Sequence, residues 1–215
     1  MVAVIVAFVG VGFAYARPVG WAELTVPGIC TIAIPPTLEV QSGAYRKMSD
    51  EYYKLMYGGD QRADRVVVQP LGINVLDSAA LKRYCRFILE VYRGNVGEYL
   101  SLDDFPEPSL EELAGIDAEL KRASYESAAL MTSKGQDTRI LSWKAVSIKR
   151  FKNFPALGFE YIRTVNGAPP VRVISYYIQD NDIMLKVDTS YRIAETDLWA
   201  DDLALMMESL VIFKR

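Results

Sequence analysis

The sequence predicts an α+β fold in which an antiparallel β-sheet is flanked by helices, forming an α/β/α sandwich. Three observations support this fold class. Several short segments rich in β-branched and aromatic residues alternate between apolar and polar positions. The dipeptide Asn166-Gly167 separates two of these segments and is typical of a hairpin turn, because both residues tolerate positive φ. Two amphipathic helices are also predicted, and such helices cover the apolar faces of a sheet.

The first half of the chain contains mainly strand patterns. Strands are predicted at residues 21–26, 29–34, 38–40 and 65–69. A short Tyr-rich helix is predicted within residues 45–57, and one helical turn at residues 78–82. Residues 84–92 fit a strand because of their aromatic and β-branched content. A helix over residues 78–93 is the alternative, because the Leu, Ile and Val residues there also fit a period of 3.6.

A long helix from residue 110 to about 131 is the clearest element of the second half. Ser109 and Glu112 have the spacing of a capping box. One face is predicted from positions that recur three and four residues apart: Leu113, Ile116, Leu120, Ala123, Ser127 and Leu130. Strands at 140–149, 157–165, 171–178 and 183–191 follow as an antiparallel meander. A helix over residues 197–209 then closes the fold, with Asp197 near its positive N-terminal end.

Residues 1–16 are predicted to be a signal peptide, followed by a single domain over residues 17–215. The uncharged apolar run ends in Ala14-Tyr15-Ala16, the small-x-small pattern of a cleavage site. It is shorter than the roughly 20 residues of a membrane span. We therefore expect a periplasmic or secreted protein with no stable membrane span after cleavage. A buried strand and an uncleaved membrane anchor are the alternatives, and the lack of basic residues before the apolar run leaves open a start further upstream.

Composition argues against several classes of function. The net charge is −3 and no basic stripe is visible, which argues against nucleic-acid binding. Histidine is absent, which removes the commonest general base and transition-metal ligand, and every Ser-His or Cys-His catalytic system. Phosphate-loop and nucleophile-elbow motifs are also absent from the sequence. We therefore expect no catalytic residues, no cofactor and no metal site.

The two cysteines, Cys30 and Cys85, could form a disulfide in an oxidising compartment. Both lie in apolar, strand-like segments, so two buried free thiols are the alternative. Sequence spacing does not decide between these states.

Three groups of polar residues are candidate sites. Asp103, Asp104 and Glu107 could supply carboxylates for acid–base chemistry or calcium, but they also fit a solvated loop before a helix N-terminus. Residues 180–182, Asp-Asn-Asp, are better explained as a turn. Arg163 and Arg172 could form an anion-binding spot across the predicted hairpin, although exposed strand faces often carry such residues.

Tyrosines are the remaining candidates, and four of the 13 are concentrated in one segment. Tyr45, Tyr52, Tyr53 and Tyr57 could form an aromatic contact surface for a protein partner or a glycan. The alternative is that their rings cover the edge of the sheet.

The order of elements resembles the PsbP-like family. The similarity lies in the opening strand that stops at TIAIPP, the late meander FEYIRTVNGAPPVRVISYYIQDNDIMLKVDTSY and the final apolar tail SLVIF. The segment VVVQPLGIN with YCRFILEVYRGNVGEYLSL is also similar to exported bacterial proteins of unknown function. The resemblance implies a curved antiparallel sheet between helices that serves mainly as a binding platform, and it implies no functional residue.

Together these observations predict an exported cell-envelope protein that is a non-catalytic binding or interaction module, with a protein or an envelope component as its partner. A carboxylate-dependent hydrolase or carbohydrate-active enzyme is the alternative, and it requires two carboxylates facing each other across a pocket.

Overall fold

The computed structural model describes residues 18–57, 65–104, 106–152 and 154–213, so the predicted signal peptide lies outside the described residues. Within those ranges the chain forms ten strands and three α-helices. In chain order they are β1 (Ala22–Val26), β2 (Cys30–Ile34), β3 (Leu38–Val40), α1 (Gly43–Tyr57), β4 (Arg65–Pro70), β5 (Cys85–Arg93), α2 (Leu110–Ser133), β6 (Thr138–Arg150), β7 (Pro155–Val165), β8 (Val171–Asp180), β9 (Ile183–Arg192), α3 (Thr196–Ser209) and β10 (Val211–Ile212).

The strands form two antiparallel sheets. The larger has seven strands in the order β3-β4-β5-β9-β8-β7-β6, and the smaller has three in the order β1-β2-β10. The β7–β8 hairpin turns at Asn166 and Gly167, whose φ angles are 51° and 70°, so the predicted turn is confirmed. Strand β9 pairs with both β8 and β5, which brings the meander beside the first half of the chain.

The apolar core lies on one face of the seven-stranded sheet. Alternate residues of a strand point to opposite faces, and here Phe87, Leu89, Leu185 and Val187 all point to the same one. Helix α3 and strand β2 cover this face, with Met206 among the fully buried side chains. Each large apolar side chain buried here contributes about 1.5–3 kcal/mol relative to exposure.

Helices α1 and α2 lie over the opposite face. The ring of Tyr53 in α1 lies 4.6 Å from the guanidinium carbon of Arg65, and Arg86 donates a hydrogen bond to the Tyr45 hydroxyl at 3.3 Å. Helix α2 packs against β6. The seven-stranded sheet is therefore layered between helices, and the predicted α+β sandwich is confirmed.

Two predictions about individual elements are resolved. Residues 85–93 form strand β5, so the alternative helix over residues 78–93 is wrong. One turn of 3-10 helix, Ala80–Lys82, precedes it.

The predicted inner face of α2 is partly wrong. Leu130 is 46% exposed, whereas Ala128 and Met131 are buried. The predicted positions follow a seven-residue repeat, and a straight helix drifts about 20° per heptad away from such a repeat. The inner face instead follows four-residue steps from Ile116, so Ser124 and Ala128 face the sheet where Ala123 and Ser127 were expected.

Asp117 fastens α2 to the edge strand β6. Its Oδ1 accepts one hydrogen bond from Trp143 Nε1 and one from the backbone N–H of Val146, both at 2.9 Å. The pairing of β6 with β7 shifts register between Lys144 and Ser147, so Val146 lies where the ladder is interrupted. The helix carboxylate thus satisfies a backbone donor in the irregular part of the strand.

Candidate binding cleft

The sheet face under α1 and α2 carries charged side chains instead of a second apolar core. In β9 the core positions Leu185 and Val187 alternate with Lys186 and Asp188, which must therefore point to the other face. Strand register places Arg65 of β4 opposite Glu90 of β5, and Glu90 opposite Lys186. We call Arg65, Glu90, Lys186 and Asp188 the ion-pair ladder.

Short contacts between opposite charges connect the four residues of the ion-pair ladder. Lys186 Nζ lies 2.8 Å from Asp188 Oδ2 and 3.7 Å from Glu90 Oε2, and Arg65 Nε lies 3.8 Å from Glu90 Oε1. The side chains of Glu90, Asp188 and Lys186 are 10%, 19% and 25% exposed, so water screens these contacts weakly. A hydroxyl donates to each carboxylate as well: Tyr92 to Glu90 at 3.2 Å, and Ser175 to Asp188 at 2.6 Å.

The ion-pair ladder keeps Lys186 protonated. Burial alone lowers the pKa of a lysine, but the carboxylates of Asp188 and Glu90 outweigh burial and raise the pKa of Lys186 above its ordinary value of 10.5. Burial also raises the pKa of the neighbouring Tyr161 phenol. Both groups are therefore hydrogen-bond donors at neutral pH.

A cleft of about 450 Å³ opens between α2 and this sheet face, and we call it the α2 cleft. Its floor includes Lys186, Ser175 and Tyr161, and Arg163 also lines it. The wall built by α2 and β6 contains three polar residues, Ser124, Ser127 and Thr138, and five apolar ones: Leu120, Ala123, Ala128, Met131 and Ile140. The volume lies within the range of about 300–1,000 Å³ that is usual for small-molecule sites.

Four rings stack across β6, β7 and β8 beside the α2 cleft. The ring centroids are 4.9 Å apart for Trp143 and Phe159, 6.0 Å for Trp143 and Tyr161, and 6.2 Å for Phe159 and Tyr177. The interplanar angles are between 15° and 25°, so the rings are close to parallel. This packing fixes the rings of Phe159, Tyr161 and Tyr177 where they line the cleft.

The tyrosines of the predicted contact surface lie on different sides of α1 in the structure. Tyr45 and Tyr53 face the sheet and contact Arg86 and Arg65, whereas Tyr52 is 47% exposed on another side of α1. The side chain of Tyr57 lies outside the described residues. Binding of a partner by these tyrosines stays a prediction.

The predicted acidic cluster is held by an arginine. Arg150 at the end of β6 contacts Asp103 through Nη1 and Glu107 through Nη2, each at 3.2 Å. Asp104 is exposed in the same loop. Since one guanidinium neutralises two of these acids, the arrangement ties the loop before α2 to the sheet.

The other polar candidates also have structural roles. Asn181 has a φ of 57° in the β8–β9 turn, as expected from turn chemistry. Arg163 and Arg172 do not form a shared anion-binding spot. Register places Arg163 opposite Val171 and Arg172 opposite Ile162, so the two arginines lie on opposite faces of the sheet. Arg172 pairs with Glu160 at 3.1 Å, while Arg163 lines the α2 cleft.

Cys30 and Cys85 are free thiols in the structure and are fully buried in the same apolar core. Burial raises the pKa of each thiol to about 12. Because the folded-state pKa exceeds the ordinary value of 9.0, the neutral thiols stabilise the fold below pH 9, and this contribution is lost as the pH rises toward 12. A disulfide between these two cysteines stays a prediction.

We expect neither thiol to react with 5,5′-dithiobis(2-nitrobenzoate) in the folded protein at about pH 8, because both are buried and protonated. Both should react after denaturation. A denatured, reduced sample is the control and should yield two thiols per chain. If the unreduced denatured protein yields none, Cys30 and Cys85 form a disulfide and the free-thiol state is wrong.

Two further observations concern metal binding and membrane spans in the part of the chain that the structure describes. No group of three or more Cys, Asp or Glu side chains there could hold a metal ion. Among the helices of these ranges, none combines the length and the apolar character required to cross a membrane.

Comparison with known proteins places the fold. No family model and no curated protein matches the sequence. Cyanobacterial PsbP (CyanoP) from Synechocystis sp. PCC 6803 is similar in structure, with a TM-score of 0.51, 10% identity and coverage of 95% of this chain and 96% of that chain. A protein from Bacteroides thetaiotaomicron VPI-5482 has a TM-score of 0.41 and 9% identity, covering 90% of this chain and 48% of that one.

The chain therefore has a PsbP-like α+β fold, which confirms the fold expected from its order of elements. At 10% identity this similarity defines the fold alone.

Proposed function

We propose that this chain is an exported cell-envelope protein, periplasmic or secreted, that acts as a non-catalytic binding module whose ligand occupies the α2 cleft. The observation that carries the proposal is the cleft of about 450 Å³, which has a charged and phenolic floor and apolar side chains in its wall. A concave site with an apolar lining and a few convergent polar groups is the usual form of a small-molecule site.

The ionisable groups of the floor support binding over catalysis. A lysine that serves as a base or nucleophile needs a lowered pKa, whereas the pKa of Lys186 is raised by Asp188 and Glu90. Asp188 is bound by Lys186 and Ser175. These side chains are therefore suited to orienting a ligand.

Filling the cleft tests this proposal. Ser124 lies half-buried on α2 in the wall of the cleft, whereas Ala118 is exposed on the same helix outside that wall. With the neutral fluorescent probe N-phenyl-1-naphthylamine, we expect Ser124→Trp to weaken binding by about tenfold, because the indole occupies the volume of the probe. Ala118→Trp is the control and should bind like the wild type. Equal affinities of both variants and the wild type would contradict a site in this cleft.

Export is tested separately. The apolar run before Arg17 supports cleavage after Ala16, so mass spectrometry of protein from the bacterial envelope should show a chain beginning at Arg17. Ala16→Phe should block cleavage, because signal peptidase requires a small residue directly before the cut, whereas the matched change Tyr15→Phe should not. Recovery of the full chain from the wild type would refute the cleavage.

A further inference from the structure

We infer that the α2 cleft binds an amphipathic oxyanion, a small molecule in which one carboxylate or phosphate is joined to an apolar body. The inference rests on the proposed function, since it names the ligand class of the same cleft.

The floor of the cleft is rich in hydrogen-bond donors. Lys186 has three N–H donors, and the carboxylates of Asp188 and Glu90 engage at most two of them. Tyr161 adds a phenolic O–H, and Arg163 adds a guanidinium, which is a donor and carries a positive charge. An oxyanion has several acceptor lone pairs and no obligatory donor, so it matches a floor of this kind.

The carboxylates near the floor are already neutralised. Lys186 and the Ser175 hydroxyl bind Asp188, while Lys186, Arg65 and the Tyr92 hydroxyl surround Glu90. Their negative charge is therefore balanced within the ion-pair ladder. A cationic ligand would have to compete with Lys186 for these carboxylates, whereas an anion can accept from the remaining N–H of Lys186 and can contact Arg163, which lies outside the ion-pair ladder.

The wall of the cleft defines the other end of the ligand. Leu120, Ala128, Met131 and Ile140 come from α2 and β6, and Phe159 adds a ring from β7. An apolar body placed there removes apolar surface from water, which favours binding by about 25 cal/mol per Å². Since the donors lie on the sheet and the apolar groups lie mainly on α2 and β6, the ligand should have one charged end and one apolar end.

A matched pair of probes tests the charged end. 8-Anilinonaphthalene-1-sulfonate has the ring system of N-phenyl-1-naphthylamine plus one sulfonate, which stands in for the carboxylate or phosphate. We expect the wild type to bind the sulfonate probe at least about tenfold more tightly, because charge-assisted hydrogen bonds are formed only with the oxyanion. Equal affinities for the two probes would overturn the inference.

Substitutions then locate the oxyanion. We expect Arg163→Gln to weaken the sulfonate probe by about tenfold and to leave the neutral probe within about threefold. Tyr161→Phe keeps the ring, removes one donor and should weaken the sulfonate probe alone by about threefold or more. Arg150→Gln is the control, since Arg150 binds Asp103 and Glu107 outside the cleft, and it should change neither affinity. Circular dichroism would establish that each variant is folded. If Arg163→Gln and Tyr161→Phe both behave like Arg150→Gln, the inference is wrong.

Competition distinguishes the two sources of oxyanion. Decanoate and decyl phosphate should be tested for displacement of the sulfonate probe, with decanol as the neutral control. Displacement by either anion, at concentrations where decanol has no effect, supports the inference and identifies the carboxylate or the phosphate. Failure of both anions overturns it. The proposed function fails separately if Ser124→Trp leaves the binding of both fluorescent probes unchanged.

Discussion

Lys186→Met should lower the free energy of unfolding by about 3 kcal/mol at pH 7. The substitution keeps a long side chain but removes the cation between Asp188 and Glu90, whose side chains are 19% and 10% exposed. Two largely buried carboxylates would then repel each other with Arg65 as the one remaining cation of the ion-pair ladder. Urea unfolding followed by circular dichroism measures the difference.

Lys144→Met is the matched control on the same sheet. Lys144 Nζ lies 3.9 Å from Glu160 Oε2, but its side chain is 73% exposed, so the loss should stay below about 1 kcal/mol. Adding Asp188→Asn to Lys186→Met should recover part of the stability, because one uncompensated charge is removed. Equal losses for the two lysine variants would show that the ion-pair ladder contributes no more than an exposed pair.

The wild type and Lys186→Met should also differ in how their stability depends on pH. Because the pKa of Lys186 is raised above 10.5 in the folded state, the folded protein holds this proton more tightly than the unfolded chain. The resulting stability is complete below about pH 10.5 and is lost as the pH rises further. The stability gap between the wild type and Lys186→Met should therefore narrow above that pH.

Asp117→Ala should lower the free energy of unfolding by about 3 kcal/mol and loosen α2. The variant leaves Trp143 Nε1 and the Val146 N–H without their acceptor. Asp117→Asn keeps an acceptor oxygen and should lose less. Urea unfolding measures the stability of each variant, and hydrogen exchange of the α2 amides measures whether the helix is loosened.

Glu119→Ala is the control on the same helix. Glu119 lies 3.8 Å from Arg122, both side chains are exposed, and the loss should stay within about 0.5 kcal/mol. If Asp117→Ala is as mild as this control, Asp117 does not fasten the helix.

Local sequence patterns were enough to predict most elements, because each depends on residues close in the chain. The alternation in β9 even separates Lys186 and Asp188 from the core positions, which is a signal that sequence reasoning missed. The partners of Lys186 could not be read in this way. Glu90 lies opposite Lys186 only because β5 pairs with β9. The sequence of either strand alone does not determine which strands pair.

Arg163 and Arg172 show that a small error in the predicted strand register changes the predicted site. A two-residue Asn166-Gly167 loop would place Val165 opposite Ala168, and Arg163 and Arg172 would then share a face. The observed register, with Arg163 opposite Val171, differs by one residue. A shift of one residue moves every side chain of a strand to the other face. The hairpin could therefore be predicted, but its register and the resulting site could not.

The interrupted edge of the large sheet has a consequence for self-association. Outer strands are templates for pairing with other chains when their backbone groups are unpaired and regular. At one edge, β3 spans three residues. At the other, β6 has two register shifts, and Asp117 already occupies the N–H of Val146. In the part of the chain that the structure describes, neither edge offers a long regular row of donors and acceptors, so we expect both edges to resist pairing with other chains. At the β6 edge, the carboxylate that fastens α2 contributes to this protection.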